Sequence, residues 1–304
     1  MIRRRSVAAL VRRRHEDPTW RRTLHRTSSR ALAPTLDEYL CSLPSGDGYG
    51  DDPSTLAPNC TRIVFQNIRG LPDRPTDDRQ KTLDDWLKND KVGIVLLAET
   101  NKYWPVIPRG RRWRDRMRRV SPSGFYAEST FNSTQTRATS SSFQYGGCAA
   151  AILGNDAHSA RSGGQDPTGL GRWVWIRLRG KKPRHRDDAV DEDEEELPLS
   201  QDVIVVSAYR PCDSGGGVNT VATQHRDYFL VPGRDRDICP REAFMEDLIL
   251  AIEEWKSWGC EIVIGVDANE DVSANTPTSF RNRLREAGLN EAIQQRHRGQ
   301  PPAT

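Results

Sequence analysis

Asp267 and Asn269 stand two apart, directly after the short apolar run Ile262 to Val266. That run has no helical period and is interrupted by Gly265, which predicts a buried strand. In extended backbone, residues two apart point the same way, so acid and amide would project together from a strand's end. Other apolar runs finish in the same manner. Ile63-Val64-Phe65 leads into Gln66-Asn67-Ile68-Arg69-Gly70, Val92 to Leu97 leads into Ala98-Glu99-Thr100, and Val203 to Val206 leads into Ser207-Ala208-Tyr209-Arg210-Pro211. A carboxylate at the end of a buried strand costs free energy unless something pairs with it, and a metal ion is one such partner. Asn67, Glu99, Tyr209, Arg210, Asp267 and Asn269 together suit phosphate-ester cleavage. One carboxylate holds a divalent cation, amides and a phenol grip phosphate oxygens, and a second carboxylate orients or deprotonates a water. The plainer reading of each stretch is a strand followed by a polar turn, with Glu99 simply reaching solvent.

Further elements must hold these strand ends in place. Leu83, Trp86 and Leu87 have helical spacing within 77–90. The clearest helix opens at Pro240, carries Phe244, Leu248, Ala251, Ile252 and Trp255 on one face, and stops at Gly259. A last helix is predicted near Ser279 to Ala287. Tyr145-Gly146-Gly147 opens a strand through Cys148 to Leu153 by way of a glycine turn. The alternation in Trp173-Val174-Trp175-Ile176-Arg177-Leu178 predicts a half-exposed strand.

The 304 residues suffice for a sizeable core, and the net charge of +3 conceals an uneven distribution. Arginine supplies 38 of the 45 basic residues, and arginine is the better bidentate phosphate partner. Residues 1–58 read as a disordered Arg-rich extension: ten Arg precede residue 31, against Glu16 and Asp17 alone. A transit peptide for mitochondria, a nuclear signal, a nucleic-acid-binding arm and an unselected leader all fit that composition. Seven Arg with Trp113 and Met117 crowd Arg109 to Arg119; a basic loop with an aromatic suits a phosphate backbone, and a solvated loop is the alternative. Eight acids fall within Asp187 to Glu196, so 181–198 reads as a disordered acidic loop. Gly215-Gly216-Gly217 lacks the Lys of a phosphate-binding loop. The six cysteines show no metal-ligand or paired spacing, which favours buried thiols in a reducing, intracellular compartment. No stretch approaches the length of a membrane span.

In their order, Gln66-Asn67-Ile68-Arg69-Gly70, Leu96-Leu97-Ala98-Glu99-Thr100, Gly146-Gly147, Tyr209-Arg210-Pro211 and Gly265-Val266-Asp267-Ala268-Asn269 resemble the endonuclease/exonuclease/phosphatase family with its deoxyribonuclease-I-like fold. The spelling is most similar to the endonuclease domains of non-LTR retrotransposons. The resemblance covers 59–304 and implies an α/β, four-layer α-β-β-α sandwich of two mixed sheets. It implies Mg²⁺ or Mn²⁺ as the cofactor, DNA as the partner and, in the full-length element, a fused reverse transcriptase. Position by position, Glu99 would ligate the metal, with Asn67 helping to hold the metal-bound phosphate. Tyr209 would bond a phosphate oxygen, and Arg210 and Arg69 would supply cationic contacts. Asp267 would position the attacking water and Asn269 would steady the transition state.

The family's final Asp-His pair has no counterpart here; His297 sits in a polar tail before Pro301-Pro302-Ala303-Thr304. The expectation is therefore a domain lacking its last strands, with impaired catalysis. Three functions stay open: a Mg²⁺-dependent endonuclease, a phosphatase of the same fold acting on a small or lipid substrate, and a non-catalytic nucleic-acid-binding remnant.

Overall fold

The buried apolar residues sort into three layers of packing in this computed structural model. It describes residues 60–72, 77–89, 91–135, 141–180, 201–212, 220–231, 238–270, 276 and 278–292. The Arg-rich extension, the acidic stretch 181–198, the triple-glycine loop and the tail with His297 lie outside the described residues.

One four-stranded sheet has the order β1-β2-β4-β3, from β1 (Arg62–Asn67), β2 (Val92–Ala98), β3 (Phe125–Ser129) and β4 (Cys148–Leu153). The second has the order β5-β6-β7-β8, from β5 (Ala160–Gln165), β6 (Trp173–Leu178), β7 (Val203–Tyr209) and β8 (Glu261–Asp267). In each sheet one parallel pair, β1/β2 or β7/β8, is joined to antiparallel neighbours. Five α-helices are described: α1 (Asp78–Asn89), α2 (Trp113–Val120), α3 (Val221–Phe229), α4 (Pro240–Ser257) and α5 (Phe280–Glu286).

Period-two alternation assigns each strand residue to a layer. Phe65, Leu96, Ala150 and Ile152 of the first sheet meet Val174, Ile176 and Val205 of the second in the central layer. Val64, Val95, Leu97, Ala149 and Ala151 face the other way, against Leu87 of α1 and Trp113 and Met117 of α2. Trp173, Ile204, Val206 and Ala208 face Phe244, Leu248, Ile252 and Trp255 of α4. The result is the expected α-β-β-α sandwich of two mixed sheets. Each fully buried Leu, Ile or Phe on α4 contributes roughly 1.5–3 kcal/mol, so this helix is held by packing more than by propensity.

Two expectations are corrected. The 173–178 strand is not half-exposed: Trp173, Val174, Ile176 and Leu178 are all buried, because one sheet face meets its partner sheet and the other meets α4. Arg109 to Arg119 is not a basic loop presenting an aromatic. Its second half is α2, and Trp113 and Met117 are sealed in the core. Arg116 is buried too. Its Nε donates to Asp84 at 2.6 Å, and its other nitrogens reach the carbonyls of Pro72 and Gln80, tying α2 to α1.

The two sheets approach so closely at Gly265 that an added Cβ would lie 2.4 Å from the Phe65 ring. No helix among the described residues is long and apolar enough to cross a membrane.

Candidate active site

The parallel pairs of both sheets run toward one edge of the sandwich, so the carboxyl ends of β1, β2, β7 and β8 converge there. Asn67 follows Ile63 and Phe65 on the face of β1 that meets the other sheet, and Tyr209 follows Val205 on the matching face of β7. Asp267 lies opposite Tyr209 in the β7/β8 register. The same alternation that builds the central core therefore aims three polar side chains into the mouth between the sheets.

They meet there. Asn67 Nδ2 donates to Asp267 Oδ2 at 2.5 Å, and Tyr209 donates its phenol proton to Glu99 Oε1 at 2.8 Å. Each bond joins residues more than a hundred positions apart and links one sheet to the other. Arg69 N donates to Asn67 Oδ1 at 3.0 Å, and Asn269 N donates to Asp267 Oδ1 at 3.1 Å, so short turns set both side chains. Glu99 sits just past β2 with a φ of 55°. Its loop is clamped by Thr100 N to Gly147 O at 3.0 Å and Asn101 N to Gly146 O at 2.8 Å. Gly147 takes a φ of 77°, and a Cβ there would meet the Thr130 carbonyl at 2.7 Å. The glycine pair is thus needed for close backbone contact beside Glu99.

Burial above all, and then the neighbouring Glu99 charge, push the Tyr209 phenol well above its usual range. It is a neutral hydrogen donor at physiological pH. Burial likewise drives the Cys148 thiol well above the ordinary range; it is an inert thiol.

Two expected residues are placed differently from the sequence reading. Arg210 does not face the mouth. It is buried, its guanidinium engages Glu270, and it packs over the Phe280 ring at 5.4 Å. Burial, then repulsion from Arg241, lower its pKa. For Glu270, burial alone would raise the pKa, but the Phe280 amide and Arg210 outweigh it and hold the carboxyl below its usual range. Arg241 completes this pin, donating to Glu270 at 3.3 Å. Asn269 has a φ of 47° and donates from Nδ2 to the Arg210 carbonyl at 2.6 Å, closing the corner beneath Asp267. Arg69 is exposed next to Asn67.

Sequence reasoning missed the support behind Tyr209. Arg172 is fully buried and bonds Asp166 at 2.6 Å and Asp247 at 2.7 Å. Its carbonyl accepts the Tyr209 amide at 2.9 Å. Spacings in sequence hold no signal for such a cluster. Neither described histidine serves the mouth. His158 follows β4 at the opposite end of the first sheet. His225 is buried, and burial and then Arg172 lower its pKa to about 3.

Among the described residues no group of three or more His, Cys, Asp or Glu could hold a metal ion. The donors present are hard oxygens, from Glu99, Asp267 and the Asn67 amide. Mg²⁺ uses such donors, since one or two carboxylates plus water and substrate phosphate complete its shell.

No protein-family profile and no curated protein sequence matches the chain. Solved structures similar in part include two of NExo. One is the 3′ phosphatase NExo from Neisseria bound to product DNA hairpin, at 13% identity over 77% of this chain and 73% of that one, with a TM-score of 0.44. The other is the 3′-5′ exonuclease NExo from Neisseria meningitidis, at 13% identity over 67% of this chain and 56% of that one, with a TM-score of 0.36.

Proposed function

We propose that this chain is a Mg²⁺-dependent phosphodiesterase of nucleic acid, working in the manner of the endonuclease/exonuclease/phosphatase family. One observation carries the reading. Four strand ends from two sheets bring Glu99, Tyr209, Asn67 and Asp267 into one mouth through the Tyr209–Glu99 and Asn67–Asp267 bonds. The finer assignment, to a retrotransposon endonuclease carried with a reverse transcriptase, rests on the motif spellings alone.

Glu99 and the Asn67 amide oxygen would hold the ion, which when bound supplies charge neutralisation to the phosphate oxygens. Tyr209 has a single proton to donate, so it serves either Glu99 or a phosphate oxygen at one time; the resting bond goes to Glu99. Asp267, aimed by Asn67 and Asn269, orients the attacking water and accepts its proton. Asn269 acts by holding the corner that aims Asp267. A carboxylate is a weaker base near neutral pH than an imidazole.

The test is nicking of supercoiled plasmid with Mg²⁺ and with a chelator. Glu99→Ala and Asp267→Ala should each lower the Mg²⁺-dependent rate by about a hundredfold or more, a scale that deleting a single catalytic group commonly reaches. Nicking that survives both substitutions would sink the assignment. Salt-sensitive binding of DNA without cleavage in the unsubstituted protein would favour a binding remnant.

A further inference from the structure

Between the loops that follow Asn67 and Glu99 lies a cleft of about 340 Å³ whose lining includes Arg69, Asp77, Arg79, Lys102 and Phe143. Among its described lining residues are three cations and one carboxylate, Asp77, which Arg79 meets at 3.0 Å. Both walls grow from catalytic strand ends: Arg69 comes two residues after Asn67, and Lys102 three after Glu99.

The far wall is an extension of the β2/β4 ladder beyond both strands. Tyr103 N donates to Ser142 O at 2.8 Å, Gln144 N to Asn101 O at 3.4 Å and Asn101 N to Gly146 O at 2.8 Å. Alternation along this extended segment puts Gln144 on one side and Phe143 with Tyr145 on the other. Gln144 is buried and exchanges two hydrogen bonds with the Asn132 backbone, at 3.0 and 2.8 Å. Phe143 and Tyr145 are left 49% and 47% exposed, their rings edge to face with centroids 4.8 Å apart. Two neighbouring exposed aromatics on a hydrogen-bonded segment, at the rim of a cationic cleft, form a platform rather than a scattered surface apolar residue.

We propose that this cleft binds an unpaired nucleotide of the nucleic-acid substrate, its base stacked on the Phe143 ring, which Tyr145 braces edge to face, and its phosphate contacted by Arg69 and Lys102. Base stacking on an aromatic is sequence-tolerant and needs an exposed base face, which a paired, stacked duplex does not offer. The substrate class that follows is a strand with single-stranded character beside the cleaved phosphate. This inference rests on the phosphodiesterase reading for its biological sense, but its test does not.

The test is fluorescence anisotropy of a labelled short oligo(dT) and of a labelled blunt duplex, with the full chain in a chelator so that nothing is cleaved. Phe143→Ala and Tyr145→Ala should each weaken oligo(dT) binding by about fivefold to a hundredfold, the range measured for loss of one stacked base. Duplex binding should stay within about twofold, since phosphate contacts dominate it. Phe143→Leu should behave like Phe143→Ala, because it keeps apolar bulk without a ring face. Lys102→Ala should reduce the salt dependence of oligo(dT) binding, and Phe143→Ala should leave it unchanged. Equal weakening of both ligands, or none for oligo(dT), would overturn the subsite. Hydrolysis of bis(4-nitrophenyl) phosphate with Mg²⁺ separates the two readings. Hydrolysis without aromatic-dependent binding removes the subsite alone, and aromatic-dependent binding without hydrolysis removes the catalytic reading alone.

Discussion

Replacing Arg172 with Met should destabilise the protein by about 3–5 kcal/mol, the cost of leaving one charge of a buried pair without its partner. Arg172 and Asp166 are both fully buried, whereas Asp247 is 34% exposed and can turn to solvent. The stranded group is therefore Asp166. In the unsubstituted protein, burial pushes Asp166 up, but the hydrogen bonds and charge of Arg172, helped by Thr168, outweigh it and hold the carboxyl below its usual range. A depressed carboxylate contributes stability that is present above the unfolded pKa and lost as pH falls through the folded one. Without Arg172 the burial effect prevails and the direction reverses. Asp166 would then take up a proton on folding, and the variant would lose stability as pH rises from about 4 toward 7. Urea unfolding at pH 7 should show the full deficit, and at pH 4.5 a deficit smaller by about 1 kcal/mol or more. In thermal melts about 3–5 kcal/mol corresponds to roughly 6–20 °C for a domain of this size. A deficit below about 1 kcal/mol with an unchanged pH profile would refute the view that Arg172 neutralises a buried charge. So would a deficit that grows toward low pH.

Gly265→Ala should destabilise by about 1–3 kcal/mol or more, because its methyl would lie 2.4 Å from the Phe65 ring. Adding Phe65→Leu should recover part of that loss in urea titrations, and an additive pair would count against a direct clash. His225, fully buried with a pKa lowered to about 3, binds a proton only when the chain unfolds. Its contribution is therefore present above the unfolded value near 6.5 and is lost as pH falls toward 3. His225→Gln should flatten the acid side of the stability profile between pH 6.5 and 4, and an unchanged slope there would contradict this placement.

The sandwich was legible because its strands are buried on both faces and read as continuous apolar runs. Ile94 to Ala98 and Val203 to Val206 are of this kind. Helix α4 was legible from Phe244, Leu248, Ile252 and Trp255 at helical spacing. Strand β5 was not, since Ala160-Arg161-Ser162-Gly163-Gly164-Gln165 holds neither apolar alternation nor β-branched residues. It exists by pairing with β6, a tertiary cause that no local window contains. Glycine serves there because a Cβ on Gly164 would meet the Trp175 indole at 2.8 Å. Helix α3 was hidden for a different reason: its Thr220 cap accepts from Thr223 N at 3.3 Å, but its buried face is built from Val221, Ala222, Gln224 and His225, half of them polar.

The chemistry-bearing residues were readable to the extent that strand direction alone decides their placement. Asn67, Tyr209 and Asp267 each continue the face of a strand whose earlier members are core residues, so period two carries them to the mouth without further help. Glu99 and Asn269 lie one and two residues beyond their strands. There the backbone turns through a positive φ, and side-chain direction no longer follows from parity. That turn is compatible with function for Glu99, because Tyr209 reaches it across the sheets, and it commits Asn269 to the Arg210 carbonyl instead. Arg210 shows the limit most sharply. It is the residue after Tyr209, so if the strand continued it would point to the α4 side, away from the mouth. There Glu270 and Arg241 await it. A cation adjacent in sequence to a site residue is thus, on strand parity alone, the residue least able to share its substrate. The loops that leave β1 and β2, where Arg69 and Lys102 stand, lie beyond the strands and escape that parity.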